Sequence, residues 1–407
     1  MPASIRELSF YTSHFSHNAG VRGRWTHRNK IAENWLSYAP AQLQSFSTGR
    51  IQEEKQEIPH LLSSGDCLDE YVVSSLISIG GFGQVYTGYH RTTHMRVAIK
   101  VETLLAPIPL LRNEAACLHY LNSRHNEDGR RPREPILRYM AYGKTEKLKY
   151  LVMDHSGANL RELKRATPKD QFSMTTSLWI MERMLSALQF VHGHGWLHRD
   201  IKPANFCIGD HESHKLYLID FGMCRYFLNT DGSYKMRKPS CPFHGTVRYA
   251  SLNSHKRQDQ CRWDDLWSVY YITIENMVGA LPWRFVTDKN VVAEMKATYP
   301  FSSLQYGEEP CMPRPLQMLS HHLHEAYLEH DTSFYATPPY GGIIREVIYD
   351  LEQRHFYRSS KLDWEKERSP GKLTPSCYGD CDEDRNAPPS GEHPLLQIKG
   401  KQSFYYF

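Results

Sequence analysis

The chain carries an aspartate and an asparagine in one short segment and a second aspartate at the end of the next apolar stretch. Residues 198–205 read His-Arg-Asp-Ile-Lys-Pro-Ala-Asn, so Asn205 follows Asp200 by five positions. At this spacing the two side chains can orient a hydroxyl group and bind a metal ion from a single loop. Residues 216–219 form an apolar strand that ends in Asp220, whose carboxylate is placed to chelate a Mg²⁺ ion bridging phosphate groups.

A glycine cluster and a lysine-bearing strand precede these residues. Residues 77–86 read Ile-Ser-Ile-Gly-Gly-Phe-Gly-Gln-Val-Tyr, and glycines between two apolar strands let a hairpin backbone approach phosphates closely. Most such clusters are ordinary hairpin turns, so this segment alone decides little. In the next strand, residues 96–101, Ala98 and Lys100 share one face, which suits an adenine and its phosphates. The alternative is a lysine that only extends its charge from a half-buried strand into solvent.

A helix after this strand supplies a partner for Lys100. Glu114 lies on the same helical stripe as Leu111 and Leu118, which places its carboxylate on an apolar face. Burying a carboxylate is costly unless it is paired. Because Lys100 is the nearest basic residue in a strand that faces a cleft, we predict a Lys100–Glu114 pair that holds the ammonium group toward nucleotide phosphates.

Strand and helix patterns change character along the chain. From about residue 71 to 150 short strand signals alternate with the one helix, whereas helical patterns dominate from about 160 to 365. An amphipathic helix with Leu178, Leu185 and Val191 on one face leads into the Asp200 loop. The patterns predict an α+β fold of two lobes, a small β-rich N-lobe with one key helix and a larger, mainly helical C-lobe.

The domain limits follow from where this patterning starts and stops. We place the N-lobe at residues 67–155 and the C-lobe at 156–368. Residues 1–66 are a polar mixture and are predicted to be a flexible N-terminal extension. Residues 369–407 are rich in proline, glycine and charge and are predicted to be a disordered C-terminal tail.

Taken in order, these segments resemble the protein kinase superfamily from roughly residue 71 to 365. Several stretches are similar to the casein kinase 1 group and, within it, to the tau-tubulin kinase branch. Where most kinases carry Ala-Pro-Glu, this chain has Ser-Leu-Asn at 251–253. The stretches that carry the resemblance are 245–253 (Gly-Thr-Val-Arg-Tyr-Ala-Ser-Leu-Asn), 254–256 (Ser-His-Lys), 262–268 (Arg-Trp-Asp-Asp-Leu-Trp-Ser), 279–283 (Gly-Ala-Leu-Pro-Trp) and 363–365 (Asp-Trp-Glu).

The resemblance implies an ATP- and Mg²⁺-dependent serine/threonine kinase, and it carries roles over residue by residue. Asp200 would be the catalytic base or orient the substrate hydroxyl, and Asn205 with Asp220 would hold magnesium. Lys202 agrees with serine/threonine specificity, since such kinases place a lysine there to contact the transferring phosphate. The implied catalytic set is Asp200, Lys202, Asn205, Lys100 and Glu114.

The resemblance also implies a nucleotide pocket. Met153 would be the gatekeeper behind the adenine, with the hinge at residues 154–156, and Cys207 would floor the pocket. Ser78 stands where the family has its first loop glycine, and its Cβ is expected to stiffen the loop or raise the KM for ATP. The implied nucleotide-binding residues are Ile77, Ser78, Ile79, Gly80, Gly81, Phe82, Gly83, Gln84, Val85, Ala98, Lys100, Met153, Asp154, His155, Cys207 and Asp220.

Substrate choice and regulation are further implications of the resemblance. Arg248 lies where the casein kinase 1 group places an arginine near an anion site, and an arginine can grip a phosphate or carboxylate bidentately. We therefore expect serine or threonine sites flanked by acidic or phosphorylated residues, although simple solvation is the alternative for any one basic side chain. Asp265 would brace the catalytic loop through its backbone, and activation-loop phosphorylation would not be needed.

Composition and charge narrow the remaining classes of function and cellular location. A net charge of +4 is too small to argue for nucleic acid binding, and neither a signal peptide nor a membrane span is evident. The nine scattered cysteines predict reduced thiols and a cytoplasmic or nuclear location. We expect a monomer that acts on protein substrates. The competing interpretation is a pseudokinase or nucleotide-binding scaffold, against which the presence of Lys100, Asp200 and Asp220 argues.

Overall fold

The computed structural model describes residues 59–81, 83–106, 108–123, 135–298 and 312–366. The chain divides into two units, Met1–Pro59 and His60–Phe407, and the elements below belong to the second. The predicted two-lobed α+β architecture is confirmed, because an antiparallel sheet with one long helix precedes a mainly helical part. Phe82, most of the predicted extension and the predicted tail lie outside the described residues.

The small lobe is a six-stranded antiparallel sheet in the order β1-β2-β3-β4-β6-β5. Its strands are rich in β-branched and aromatic residues, which suit a pleated, half-buried surface. Its helix, α1, is Leu110–Ser123. The strands are β1 Cys67–Leu68, β2 Tyr71–Gly80, β3 Gly83–His90, β4 Arg96–Thr103, β5 Tyr139–Lys144 and β6 Leu148–Asp154.

Strand β4 separates two apolar cores, as its alternating pattern predicts. Val97 and Ile99 are fully buried in a cluster confined to the small lobe. Ala98, on the opposite face, belongs to the larger cluster that includes Leu111 of α1 and the helices of the large lobe. The sheet therefore presents Ala98 and Lys100 toward α1 and the other lobe.

The packed small lobe begins before the predicted boundary at residue 67. Leu62 is only 8% exposed and belongs to the small-lobe core. The Leu61 N–H donates to Gln84 Oε1 at 2.8 Å, and the Leu62 N–H donates to the Tyr86 hydroxyl at 3.1 Å. The polar, unpatterned character of this segment concealed a single buried leucine, so the boundary at 67 falls inside the lobe.

The large lobe is built around two long helices whose ends are well capped. The Ser173 hydroxyl accepts from the Thr176 N–H at the start of α3, and the Cys261 N–H donates to Asp264 Oδ2 at 2.6 Å at the start of α5. The helices are α2 Leu160–Arg165, α3 Met174–Gly193, α4 Leu252–His255, α5 Arg262–Val278, α6 Lys289–Thr298, α7 Arg314–Leu328, α8 His330–Ser333, α9 Tyr340–Gln353 and α10 Asp363–Lys366.

Two short sheets in the large lobe position the loops that carry the candidate site. The order β10-β9-β7 forms one sheet and β11-β8 forms the other, both antiparallel. The strands are β7 Ser156–Asn159, β8 Trp196–Leu197, β9 Phe206–Gly209, β10 Leu216–Leu218 and β11 Arg225–Tyr226. No helix in the described ranges has both the length and the apolar character of a membrane span.

Candidate active site

A cleft of about 1220 Å³ lies between the glycine hairpin and the loops of the large lobe. Thirteen of the predicted site residues line it, and they come from both lobes. They are Ser78, Gly80, Gly81, Gly83, Val85, Ala98, Lys100, Glu114, Met153, Lys202, Asn205, Asp220 and Arg248. The volume is ample for a nucleotide together with part of a polypeptide substrate.

Lys100 is held between two carboxylates. Its Nζ lies 2.7 Å from Glu114 Oε2 and 2.8 Å from Asp220 Oδ1, so the contact predicted between Lys100 and Glu114 is present. Burial alone would lower the pKa of Lys100, but Asp220 and Glu114 outweigh it and hold the pKa above its ordinary value. The ammonium group is therefore charged throughout the physiological range.

The two carboxylates of this trio differ in their electrostatics. Burial raises the pKa of Glu114, and Lys100 offsets this only in part because Asp220 competes for the same ammonium. Burial would also raise the pKa of Asp220, but Lys100 and Lys202 outweigh it and lower the pKa. The ionised form of Asp220 is thus the more strongly favoured of the two, and both carboxylates line the cleft. One ammonium and two carboxylates leave a net negative charge, which suits a divalent cation.

The Asp200 carboxylate is fixed by two side chains. Lys202 Nζ lies 3.1 Å from Oδ2, and the Thr246 hydroxyl donates to Oδ1 at 2.8 Å. Asn205 Nδ2 donates to the Asp200 carbonyl at 2.9 Å, which closes the loop on itself. Thr246 was missed by sequence reasoning, and its place beside Gly245 in the Gly-Thr-Val-Arg-Tyr stretch is the signal that could have found it.

The Asp265 carboxylate accepts hydrogen bonds from the backbone of this loop. It accepts the N–H groups of His198 at 2.9 Å and Arg199 at 2.8 Å, as well as His192 Nε2 at 2.8 Å. Burial would raise the pKa of Asp265, but hydrogen bonds from His192 and the backbone hold it below its ordinary range. Arg199 has a positive φ of 67°, an uncommon conformation that this buried carboxylate stabilises.

The glycine hairpin has the geometry that phosphate binding requires. A Cβ added to Gly83, whose φ is +138°, would meet the Val101 carbonyl at 2.1 Å, so only glycine allows the start of β3 to lie this close to β4. At Gly81 an added Cβ would meet nothing within 4 Å, which leaves the backbone open toward the cleft. Ser78 is 6% exposed and lines the cleft in place of the family's glycine.

Several predicted nucleotide-binding residues lie away from the cleft lining. The Gln84 side chain accepts from the Leu61 N–H and the Tyr86 hydroxyl, on the small-lobe core side of the sheet. Cys207 is fully buried in β9. His155 Nδ1 lies 3.1 Å from Asp210 Oδ2 behind the hinge. The cleft lining also omits Ile77, Ile79 and Asp154.

Arg248 shares a buried carboxylate with a second cation. Its Nη1 lies 3.7 Å from Glu275 Oε1, and Lys164 Nζ lies 3.7 Å from Glu275 Oε2. The Tyr249 hydroxyl also donates to Glu275 at 2.6 Å. The Arg248 side chain is 25% exposed and lines the cleft. Arg248 therefore brings a positive charge to the cleft lining, whereas Lys164 and Glu275 lie outside that lining.

The donor set fits Mg²⁺ and ATP. Mg²⁺ prefers oxygen ligands, and Asp220 offers an ionised carboxylate. The Asn205 amide nitrogen donates to Asp200, which makes the amide oxygen the atom that can bind a cation. The open hairpin backbone and Lys100 provide groups for phosphates, and Ala98 and Met153 provide apolar surface for an adenine.

Comparisons with known proteins agree with this geometry. Residues 71–326 match the protein kinase domain. The chain is 38% identical over 231 residues to a probable serine/threonine-protein kinase of Dictyostelium discoideum, an alignment that covers 56% of this chain and 45% of that protein. It is 29% identical over 253 residues to a putative casein kinase I of Caenorhabditis elegans, covering 62% and 72% of the two chains. A probable casein kinase I homolog of Encephalitozoon cuniculi is 33% identical over 219 residues, covering 54% of this chain and 65% of the homolog.

Proposed function

The chain belongs to the protein kinase family, and from that premise we propose that it transfers the γ-phosphoryl group of ATP to serine and threonine residues of proteins. The observation that carries the proposal is the meeting of two clusters in one cleft. The Lys100–Glu114–Asp220 trio lines the cleft, and so do Lys202 and Thr246, the two side chains that contact Asp200, although the lining does not include Asp200 itself. Relatives of the casein kinase I type, which the chain resembles, support it.

Each cluster has a distinct task in this reaction. Bound ATP with Mg²⁺ supplies the phosphoryl group and neutralises its charge. Asn205 and Asp220 would hold the metal, and the charged Lys100, kept in place by Glu114, would bind phosphate oxygens. The backbone of Gly80 and Gly81 would cover the phosphates from above.

Asp200 would receive the substrate. Its Oδ1 accepts from Thr246 and its Oδ2 contacts Lys202, so the carboxylate is oriented before any substrate arrives. A serine or threonine hydroxyl that donates to this carboxylate is held and made ready to lose its proton. Lys202, beside it, would stabilise charge on the phosphoryl group in transit.

An Asp200→Asn variant tests the reaction. Transfer of radiolabelled phosphate from ATP to casein should fall by at least about 1000-fold, because a triad-like orienting group acts mainly in the transition state. The melting temperature should change little, since asparagine still accepts from Thr246. Asp350→Asn, which alters a half-buried pair with Arg354 outside the cleft lining, is the matched control and should retain full activity. A wild-type chain that binds ATP but transfers no phosphate would favour a nucleotide-binding scaffold.

We further propose that the substrates are acidic or already phosphorylated around the target residue. The support is Arg248, a cation whose side chain is 25% exposed and lines the cleft. Lys289, whose ammonium lies 4.8 Å from the Phe243 ring centroid, adds a cation near the same opening. Anionic side chains next to the phosphorylated residue would be attracted there.

Arg248→Ala tests this preference. The KM for acidic or phosphoprimed peptides should rise about 10-fold, whereas the KM for neutral peptides should rise less than about 2-fold. Raised salt should reproduce the difference in the wild-type chain because it screens the attraction. Arg314→Ala removes an arginine that is 77% exposed on α7 and serves as the control. Equal changes for both peptide classes would show that Arg248 only stabilises Glu275.

Finer assignments complete the proposal. Within the casein kinase 1 group, the stretches at 262–268 and 363–365 favour the tau-tubulin kinase branch, and a tree of kinase domains that places the chain elsewhere would refute this.

We place the kinase domain at residues 60–368. A location in the cytoplasm or nucleus is proposed from the free thiols of the described cysteines, and cell fractionation tests it. We also propose a monomer, which size-exclusion chromatography tests.

A further inference from the structure

Asp259, in the turn before α5, is a buried carboxylate that contacts three points of the segment following Asp220. It is 1% exposed. Arg225 pairs with its Oδ1 through Nη1, and the Lys238 N–H donates to its Oδ2 at 2.9 Å. The Cys241 thiol donates to Oδ1 at 3.3 Å. One side chain thus joins the beginning of residues 225–241 to two points near their end.

The start of this segment is hydrogen-bonded to the catalytic loop and paired with the strand that precedes it. Arg199 Nε donates to the Met223 carbonyl at 2.8 Å, and Arg225 in β11 pairs with Leu197 in β8, just before the loop. Burial and the positive charge of Arg225 lower the pKa of Arg199, while Asp259 acts in the opposite direction. Of the two neighbouring arginines, Arg225 is the one that contacts Asp259 directly, and the charge of Arg199 is influenced by both Asp265 and Asp259.

The end of the segment leads to the group that orients Asp200. Cys241 is also held by its backbone N–H, which donates to the Arg257 carbonyl at 2.8 Å. Five residues later Thr246 donates to Asp200. A shift of residues 238–241 would therefore be passed along a short connection to Thr246.

A phosphate on such a segment acts by adding an anion that pairs with arginines. Here the arginines already have an anion within the fold. We propose that Asp259 is a positioning residue that holds residues 225–241 in the arrangement in which Thr246 meets Asp200. This inference rests on the proposed kinase function.

The test compares three variants of the full-length chain expressed in bacteria. Asp259→Asn keeps an oxygen for the Lys238 N–H and removes the charge, and kcat should fall at least 10-fold with the KM for ATP within 2-fold. Hydrogen exchange should accelerate in residues 225–241 and stay unchanged in α3. Asp259→Glu, which retains the charge, should keep kcat within 5-fold of wild type. Asp231→Asn, an exposed carboxylate in the same segment, is the control and should match wild type.

The outcomes separate this inference from the proposed function. Wild-type chain that transfers no phosphate contradicts the kinase function itself. An active wild type beside an Asp259→Asn variant with unchanged kcat overturns the role of Asp259. If Asp259→Asn fails to fold, the Asp259→Glu variant tests the proposal instead. A folded glutamate variant that keeps its kcat supports the role of the charge, and a folded but inactive one overturns it.

Discussion

Replacing Glu114 by glutamine separates the electrostatic role of the Lys100 trio from its contribution to stability. Glutamine has the same shape, but its single oxygen can accept either from Lys100 or from the Phe221 N–H, which contacts Glu114 Oε1 at 3.3 Å. What disappears is one of two negative charges beside Lys100. The ammonium group is then drawn to Asp220 alone, the carboxylate that should bind the metal.

The distances set the size of the effect. Unit charges 2.7 Å apart attract by about 6 kcal/mol at an effective dielectric constant of about 20. The cost of burying a carboxylate that is 2% exposed offsets much of this attraction. We therefore expect the free energy of unfolding to fall by only about 1–2 kcal/mol. Misplacing Lys100 removes transition-state stabilisation, for which a 100- to 1000-fold loss of kcat/KM, about 2.7–4 kcal/mol, is expected.

The chain contains a matched control for this change. Glu102, also in the small lobe, is 3% exposed and pairs with Lys149 at 3.2 Å, and its Oε1 accepts the Leu111 N–H at 3.4 Å. Glu102→Gln should cost similar stability and leave kcat/KM within about 2-fold. Steady-state kinetics with ATP and casein, beside urea unfolding, measures both quantities. If the two variants lose activity equally, stability accounts for the loss and the proposed role of Glu114 is wrong.

Two further predictions concern stability. Burial and the positive charge of Lys296 lower the pKa of His255 to about 4, so the unfolded chain, with an ordinary pKa of about 6.5, binds the proton more readily. The contribution of neutral His255 to the free energy of unfolding is complete above about pH 6.5 and is lost as the pH falls toward 4. The melting temperature should therefore fall between pH 7.5 and 4.5, and it should fall less over this range in a His255→Gln variant. The free energy of unfolding should be about 2 kcal/mol higher for a chain truncated to residues 60–368 than for one truncated to residues 67–368, because the longer chain retains buried Leu62. Equal urea midpoints for the two chains would contradict this.

Regular elements made the central features of the site predictable. The period of two in β4 placed Ala98 and Lys100 on the cleft face, and the period of 3.6 in α1 placed Glu114 among leucines. The cost of an unpaired buried charge then required a partner for Glu114. The same period of two also marks Gln84 as facing away from the cleft, because it shares a face with the buried Tyr86 and not with Val85. Strand alternation therefore predicts which side chains of the glycine hairpin face the cleft better than their position in the hairpin does.

Irregular segments hid the rest of the site. Thr246 meets Asp200 across 46 positions of sequence, and Arg225 meets Asp259 across 34. No periodicity marks either contact, since the backbone between them turns repeatedly. The physical rule is nevertheless the same as for Glu114: a buried carboxylate must be paired or hydrogen-bonded. A charged residue on a patterned helix shows its burial in the sequence, whereas Asp259 shows it only once the chain is folded, and for that reason the segment that completes the site had to be found in the structure.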